Sequence, residues 1–179
     1  VAESMQIPVV TTLMGKGAFP ASHPLNLGHV GMHGSKYANY AITNADLLIA
    51  VGARFSDRVT GKLADFAPYA KVIHVDVDPA EIGKNRMPQI PIVGDAKVVL
   101  AGIEEQINAE HFEPITQEWL AQINEWREAH PFYSPGLATP TGTISPEGAL
   151  DLLSDMLEQD NSIVTTEVGQ HQMLSLIHI

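Results

Sequence analysis

The chain contains no cysteine, which excludes disulfides, thiolate catalysis and cysteine-ligated zinc. No apolar run approaches the ~20 residues needed to span a bilayer. Basic residues are scarce: 10 Lys and Arg stand against 21 Asp and Glu, a formal net charge of -11, so neither a nucleic-acid nor an anionic-membrane partner is expected. There is no internal repeat and no low-complexity tract. Hydrophobic residues make up 45% of the 179, enough for a packed core in about one domain's worth of chain.

The chain starts at Val1 without a signal-peptide pattern, and a fragment of a longer protein is expected. Residues 174–179 (Leu-Ser-Leu-Ile-His-Ile) match what a transposon-end sequencing adapter can encode. They are expected to be a non-native tail and are left out of the functional reading.

The charge is unevenly spread. Residues 1–100 hold nine basic and eight acidic side chains; residues 101–179 hold only Arg127 and thirteen acids. The first part suits an anionic ligand, and the second reads as solvated helix faces.

Four short apolar runs punctuate the first hundred residues: Pro8 to Leu13, Leu47 to Val51, Val72 to Val77 and Ile90 to Val93. Their length and composition predict strands buried on both faces of a parallel sheet. Between the first two, Tyr37, Ala38, Ala41, Ile42 and Ala45 have helical spacing. A second helix is predicted after Asp95, with Leu100, Ile103 and Ile107 on one face. A third follows Pro114 on Trp119, Ile123 and Trp126. The expected fold is a doubly wound, mostly parallel α/β domain of the Rossmann-like kind.

Residues 131–145 are dense in proline and glycine and read as a linker. Ser145-Pro146 then opens a helix, with a capping hydroxyl and proline in the first turn. Ile163 to Thr166 reads as the next strand, the opening of a second, truncated α/β domain.

Chemistry-bearing residues cluster where strands end. Gly15-Lys-Gly17 follows the first run, but Pro20 stands where a dinucleotide fingerprint needs Gly or Ala, so this is not that motif. Gly28-His-Val-Gly-Met-His-Gly34 precedes a helix, where bare N–H groups favour anionic or polar atoms and glycines admit a flat ligand. His29 and His33 have the spacing of a metal pair, but the surrounding glycines argue against the helix such a pair needs; no metal site is expected. Arg54 and Arg58 lie just beyond the second run, placed to hold a carboxylate or phosphate, with a surface pairing to Asp57 as the plain alternative. Asp76 and Asp78 close the third run on one face by period-2 geometry, where a carboxylate can accept from ribose hydroxyls. Gly94-Asp95 closes the fourth. Together these ends describe one long crevice suited to a dinucleotide, without saying which.

Five segments in order resemble the large, catalytic subunit of the acetolactate synthase (acetohydroxyacid synthase) family: Thr11-Thr-Leu-Met-Gly15, Leu27 to Gly34, Gly52 to Gly61, His74 to Asn85 and Val168-Gly-Gln-His-Gln-Met173. The resemblance implies residues 1–130 as a central FAD-binding α/β domain lacking its first strand, and 146–173 as the start of the thiamine-diphosphate domain. It also implies that Thr12, Leu13, Met14, Gly31, Met32, His33, Gly52, Ala53, Arg54 and Arg58 line the flavin side. Asp76, Val77, Gly94 and Asp95 would hold the adenosine side, and Gln170 and His171 would lie near thiamine diphosphate.

Arg58 would further engage the second 2-keto acid, the catalytic role assigned within this chain. The glutamate that activates thiamine diphosphate and the Gly-Asp-Gly motif that binds Mg²⁺ belong to segments outside it. The implied activity joins a two-carbon unit from pyruvate to pyruvate or 2-oxobutyrate, for branched-chain amino acid biosynthesis. The implied assembly is a homodimer or larger homo-oligomer that takes a regulatory small subunit, in a bacterial cytoplasm or, for an organellar gene, a plastid or mitochondrion. Ser56 departs from the family's usual aspartate. The competing reading is a non-catalytic or redox flavin- or nucleotide-binding module of the same fold.

Overall fold

The computed structural model describes residues 1–132, 142–157, 163–169 and 172–173. A one-turn helix α1 (Ala2–Met5) leads into β1 (Val9–Thr11), a 3-10 turn at Leu13–Gly15 and β2 (Asn26–His29). Helix α2 (Lys36–Asn44), β3 (Leu47–Val51), the short α3 (Asp57–Thr60), a 3-10 turn at Leu63–Asp65, β4 (Lys71–Asp76) and β5 (Ile90–Val93) follow. Helices α4 (Ala96–Glu110), α5 (Gln117–Ala129) and α6 (Pro146–Leu157) complete the order.

The four predicted apolar runs in the first hundred residues form strands, and the fold is α/β with parallel pairing throughout. The strands fall into two hydrogen-bonded groups, β1-β2 and β3-β4-β5, where one sheet was expected. β2 was not foreseen: Asn26-Leu-Gly-His29 has weak strand propensity. Pairing to β1 at Val9↔Asn26 and Thr11↔His29 holds it, with an irregularity between the two that Gly28 absorbs at φ 78°.

Burial on both faces holds for β4, where Val72, His74, Val75 and Asp76 are buried, but not for its neighbours. Leu47 and Val51 of β3, and Ile90 and Val93 of β5, are exposed, since these strands are the edges of their group. The predicted strand at 163–166 is irregular and exposed; a single strand without a ladder cannot satisfy its backbone. The linker expected over 131–145 falls mainly on residues outside those described, as does the expected tail.

Side-chain caps start three of the helices; the one expected at Ser145 is found, and Ser35 and Asp95 supply two more. Ser35 Oγ caps α2 by accepting from the Ala38 amide at 3.1 Å. Asp95 caps α4 through the Val98 amide at 3.1 Å, and Ser145 Oγ accepts from the Gly148 amide at 3.0 Å at the start of α6. Such caps are each worth about 1 kcal/mol.

Two apolar clusters position the strand ends. One joins Val30, Ile42, Ala50, Phe55, Phe66 and Val72 between α2 and the β3-β4-β5 sheet. The other joins Leu27, Ala38, Ala41 and Ile123 between β2, α2 and α5, and Val10 packs against both. Ile123 is 1% exposed, a burial worth about 1.5–3 kcal/mol. Arg127 ties α5 down: its Nη2 donates to the Asn26 carbonyl at 3.2 Å, and its guanidinium lies 5.3 Å from the centre of the Tyr37 ring.

Candidate functional site

Parallel pairing puts the carboxyl ends of the strands of each group on one side, and the backbone there is tightly keyed. The Gly52 amide donates to the Val75 carbonyl at 2.8 Å, and the Gly94 amide to the Asp76 carbonyl at 3.0 Å. Gly52, Asp76, Val77 and Gly94 therefore form one continuous rim. Thr12, Leu13 and Met14 leave β1 one step beyond the Thr11↔His29 pair, beside the loop that carries Gly31, Met32 and His33. That loop closes the space between the two strand groups: the Met32 amide donates to the Arg58 carbonyl at 3.1 Å. Gly31, at φ 107°, is the one residue type that fits, because a Cβ there would lie 2.4 Å from the same carbonyl oxygen.

Gly52, Asp76, Val77 and Gly94 thus lie along the carboxyl ends of β3, β4 and β5, Ala53, Arg54 and Arg58 follow β3, and Asp95 follows β5. Gly31 and Met32 reach the Arg58 backbone from the loop after β2, which also carries His33, and Thr12, Leu13 and Met14 follow β1. Gln170 and His171 lie outside the described residues. Two sequence expectations need correction. Asp78 does not continue the strand face of Asp76: β4 stops at Asp76, whose Oδ1 accepts from the Asp78 amide at 2.9 Å, while Asp78 Oδ1 caps the next turn at Ala80. Asp57 accepts from the Arg58 backbone amide and pairs with neither Arg54 nor Arg58 among the described residues, so the plain ion-pair alternative does not hold.

The side chains divide by role. Thr12 Oγ1 accepts from the Gly15 amide at 3.1 Å and shapes the 3-10 turn. Asp95 is engaged in capping α4. Met14, Met32 and Val77 are 88%, 63% and 73% exposed, each offering apolar surface just beyond a strand end. Ser56 sits at the N-cap of α3 without a side-chain capping bond.

Charge is polarised along the rim. Lys16, His29 and His33 gather beyond β1 and β2, and Asp76, Asp78 and Asp95 beyond β4 and β5. Burial lowers the pKa of Lys16. Burial also lowers that of His29, with the positive charges of His33 and Lys16 adding to the effect. Among the described residues no group of three or more His, Asp or Glu side chains is arranged to hold a metal ion.

Sequence reasoning missed two amides that shape this rim. Asn39 of α2 accepts from the Gly31 amide at 2.9 Å and donates to the Gly31 carbonyl at 3.0 Å. Asn85 Nδ2 donates to the Arg54 carbonyl at 2.9 Å. An asparagine early in α2, directly after a glycine-rich loop, was the available signal for Asn39. Asn85 had none, because its partner is 31 residues away.

The profile described as thiamine pyrophosphate enzyme, central domain, matches residues 1–103, the stretch that carries every strand of this rim. The chain belongs to that family. Among its relatives, the acetolactate synthase large subunit of Parasynechococcus marenigrum is 49% identical over 178 residues, covering 99% of this chain and 28% of the relative. The probable acetolactate synthase large subunit of Methanocaldococcus jannaschii is 50% identical over 177 residues, covering 96% and 29%. That of Porphyra purpurea is 49% identical over 173 residues, covering 95% and 28%. The chain therefore spans under a third of the length of these curated relatives. As a central domain of a thiamine pyrophosphate enzyme, it has a parallel α/β architecture in keeping with the family. No helix among the described residues is long and apolar enough to cross a membrane.

Proposed function

We propose that this chain is the flavin-holding central part of an acetolactate synthase large subunit, continuing into the start of a thiamine-diphosphate domain. Its parent enzyme decarboxylates pyruvate and joins the two-carbon unit to a second 2-keto acid. The observation that carries this reading is the rim itself, built from strand ends in the chain's family-matched part. Near-complete coverage of the chain by three large-subunit relatives supports it.

The rim fits FAD by its chemistry. Met14 and Met32 offer exposed apolar surface for the flat ring at the end where Arg54 and Arg58 lie. At the other end Asp76, nearly buried, keeps one carboxylate oxygen beyond its bond to the Asp78 amide and can accept from ribose hydroxyls. Gly52 and Gly94 let a ligand approach the backbone without a side chain intervening. In this reading FAD is held and undergoes no net redox change.

Thiamine diphosphate, when bound, supplies the carbon that takes up pyruvate and lets CO₂ leave as the electron sink. The part of this chain is to bind and orient. The Arg58 guanidinium, exposed on the single turn of α3, engages the carboxylate of the incoming 2-keto acid and sets its carbonyl toward the reacting carbon. The Mg²⁺-binding and proton-abstracting groups come from other parts of the parent, which we propose to be a homo-oligomer that takes a regulatory small subunit.

The test is acetolactate formation from pyruvate by the full-length parent with FAD, thiamine diphosphate and Mg²⁺. Arg58→Ala is expected to slow it about ten- to a hundred-fold, the loss of a charge-assisted hydrogen bond of ~1.5–3 kcal/mol. FAD is expected to stay bound in that variant. Unchanged turnover accompanied by lost FAD would take the substrate role away from Arg58.

A further inference from the structure

The Asn39 side chain uses both ends of its amide on one residue of the rim. Its Oδ1 accepts from the Gly31 N–H at 2.9 Å, and its Nδ2 donates to the Gly31 carbonyl at 3.0 Å and, at 3.5 Å, to that of Gly34. Asparagine is a poor helix former, yet it stands mid-helix in α2 among Ala38, Ala41 and Ile42, which are buried. Its side-chain amide bonds to the loop, and the residue is half-buried.

The loop in turn grips Arg58 on two sides. The Met32 amide donates to the Arg58 carbonyl, and the Arg58 Nη1 lies 4.0 Å from the Met32 Sδ. Gly31 approaches so closely that no Cβ would fit. Helix α3 has only four residues, and its N-cap Ser56 makes no side-chain capping bond. So short a helix is not stable by itself. The place of Arg58 depends on what the helix is docked against: the loop on one side and, through Val59, the apolar cluster on the other.

We propose that Asn39 is a positioning residue for Arg58, acting through Gly31 and Met32. The inference rests on the acetolactate synthase reading for its effect on the reaction; the contact chain from Asn39 to Arg58 does not. The side chain has to donate and accept at one reach. Alanine does neither, aspartate only accepts, and glutamine is a methylene too long.

Two readouts on the full-length parent test this. The first is acetolactate formed per CO₂ released at sub-saturating pyruvate, which is independent of how much enzyme is folded. A displaced Arg58 engages the second keto acid less well, so CO₂ release without ligation is expected to rise about tenfold in Asn39→Ala, for the loss of one to two hydrogen bonds. Asn39→Asp is expected to fall between wild type and Asn39→Ala. The second readout is amide hydrogen exchange at Met32, expected to accelerate about tenfold in Asn39→Ala while the amides of β3 and β4 keep their rates.

Turnover that falls with an unchanged ratio of acetolactate to CO₂ would overturn the proposal, leaving Asn39 a structural residue. Unchanged exchange at Met32 would overturn it equally. A parent that releases no CO₂ from pyruvate would defeat the acetolactate synthase reading instead, and Met32 exchange would then decide the contact chain by itself.

Discussion

The Arg58 carbonyl oxygen lies where a side chain on Gly31 would have to begin: an added Cβ would sit 2.4 Å from it and 2.9 Å from the Val59 Cα. Both are backbone atoms of a packed helix, and Gly31 is at φ 107°. Gly31→Ala is therefore expected to destabilise the chain by about 1–3 kcal/mol from backbone strain alone, with the steric clash adding to it. Gly52→Ala has open space around it and only the positive φ to overcome, so it should cost less. Urea denaturation of both variants checks this, and equal losses would count against the close approach.

His74 is fully buried on β4, with neither ring nitrogen hydrogen-bonded and its ring 5.0 Å from that of Phe55 in an edge-on arrangement. An unsatisfied buried polar group costs about 1–3 kcal/mol, and the ring contact returns part of it. His74→Leu is expected to stabilise the chain by about 1 kcal/mol. A loss of stability in thermal denaturation would show that the ring is hydrogen-bonded in solution.

His29 makes stability depend on pH. Its pKa is lowered from 6.5 by burial first and by His33 and Lys16 second, so the unfolded chain binds its proton more readily than the folded one. Its contribution is full above pH 6.5 and is lost as the pH falls through the lower folded value. His29→Gln is expected to flatten the drop in melting temperature between neutral and mildly acidic pH. A wild-type and variant pair with parallel profiles would remove His29 as the source.

The strands were legible where composition and length agreed. Leu47 to Val51 and Ile90 to Val93 are found with the expected bounds. The glycine-rich run that turned out to hold β2 was not, because its strand is imposed by pairing to β1 and not by its own propensity. That glycine, arginine and carboxylate recur at strand ends was legible. How the rim is held was not. The bonds from Asn39 to Gly31 and from Asn85 to Arg54 join residues that no period relates. Asp78 was misplaced because alternation was carried one step too far, past the point where the Asp76 carboxylate turns the chain.

Asp76 should matter for the nucleotide end of the rim. In the full-length parent, Asp76→Ala is expected to weaken FAD by about 1–3 kcal/mol, the cost of stranding a hydrogen-bond partner. Asp76→Asn can still accept from a hydroxyl and should lose less. Flavin retained on gel filtration reads the order, and unchanged retention in Asp76→Ala would take that residue out of the site.

The central claim is that this rim holds a flavin in an enzyme whose reaction transfers no net electrons. One reaction tests it: the full-length parent with pyruvate, thiamine diphosphate and Mg²⁺, its flavin absorbance recorded while acetolactate accumulates. The account predicts bound flavin whose oxidised spectrum holds steady through many turnovers. A protein that carries no flavin, or a flavin that bleaches in step with product, would contradict it.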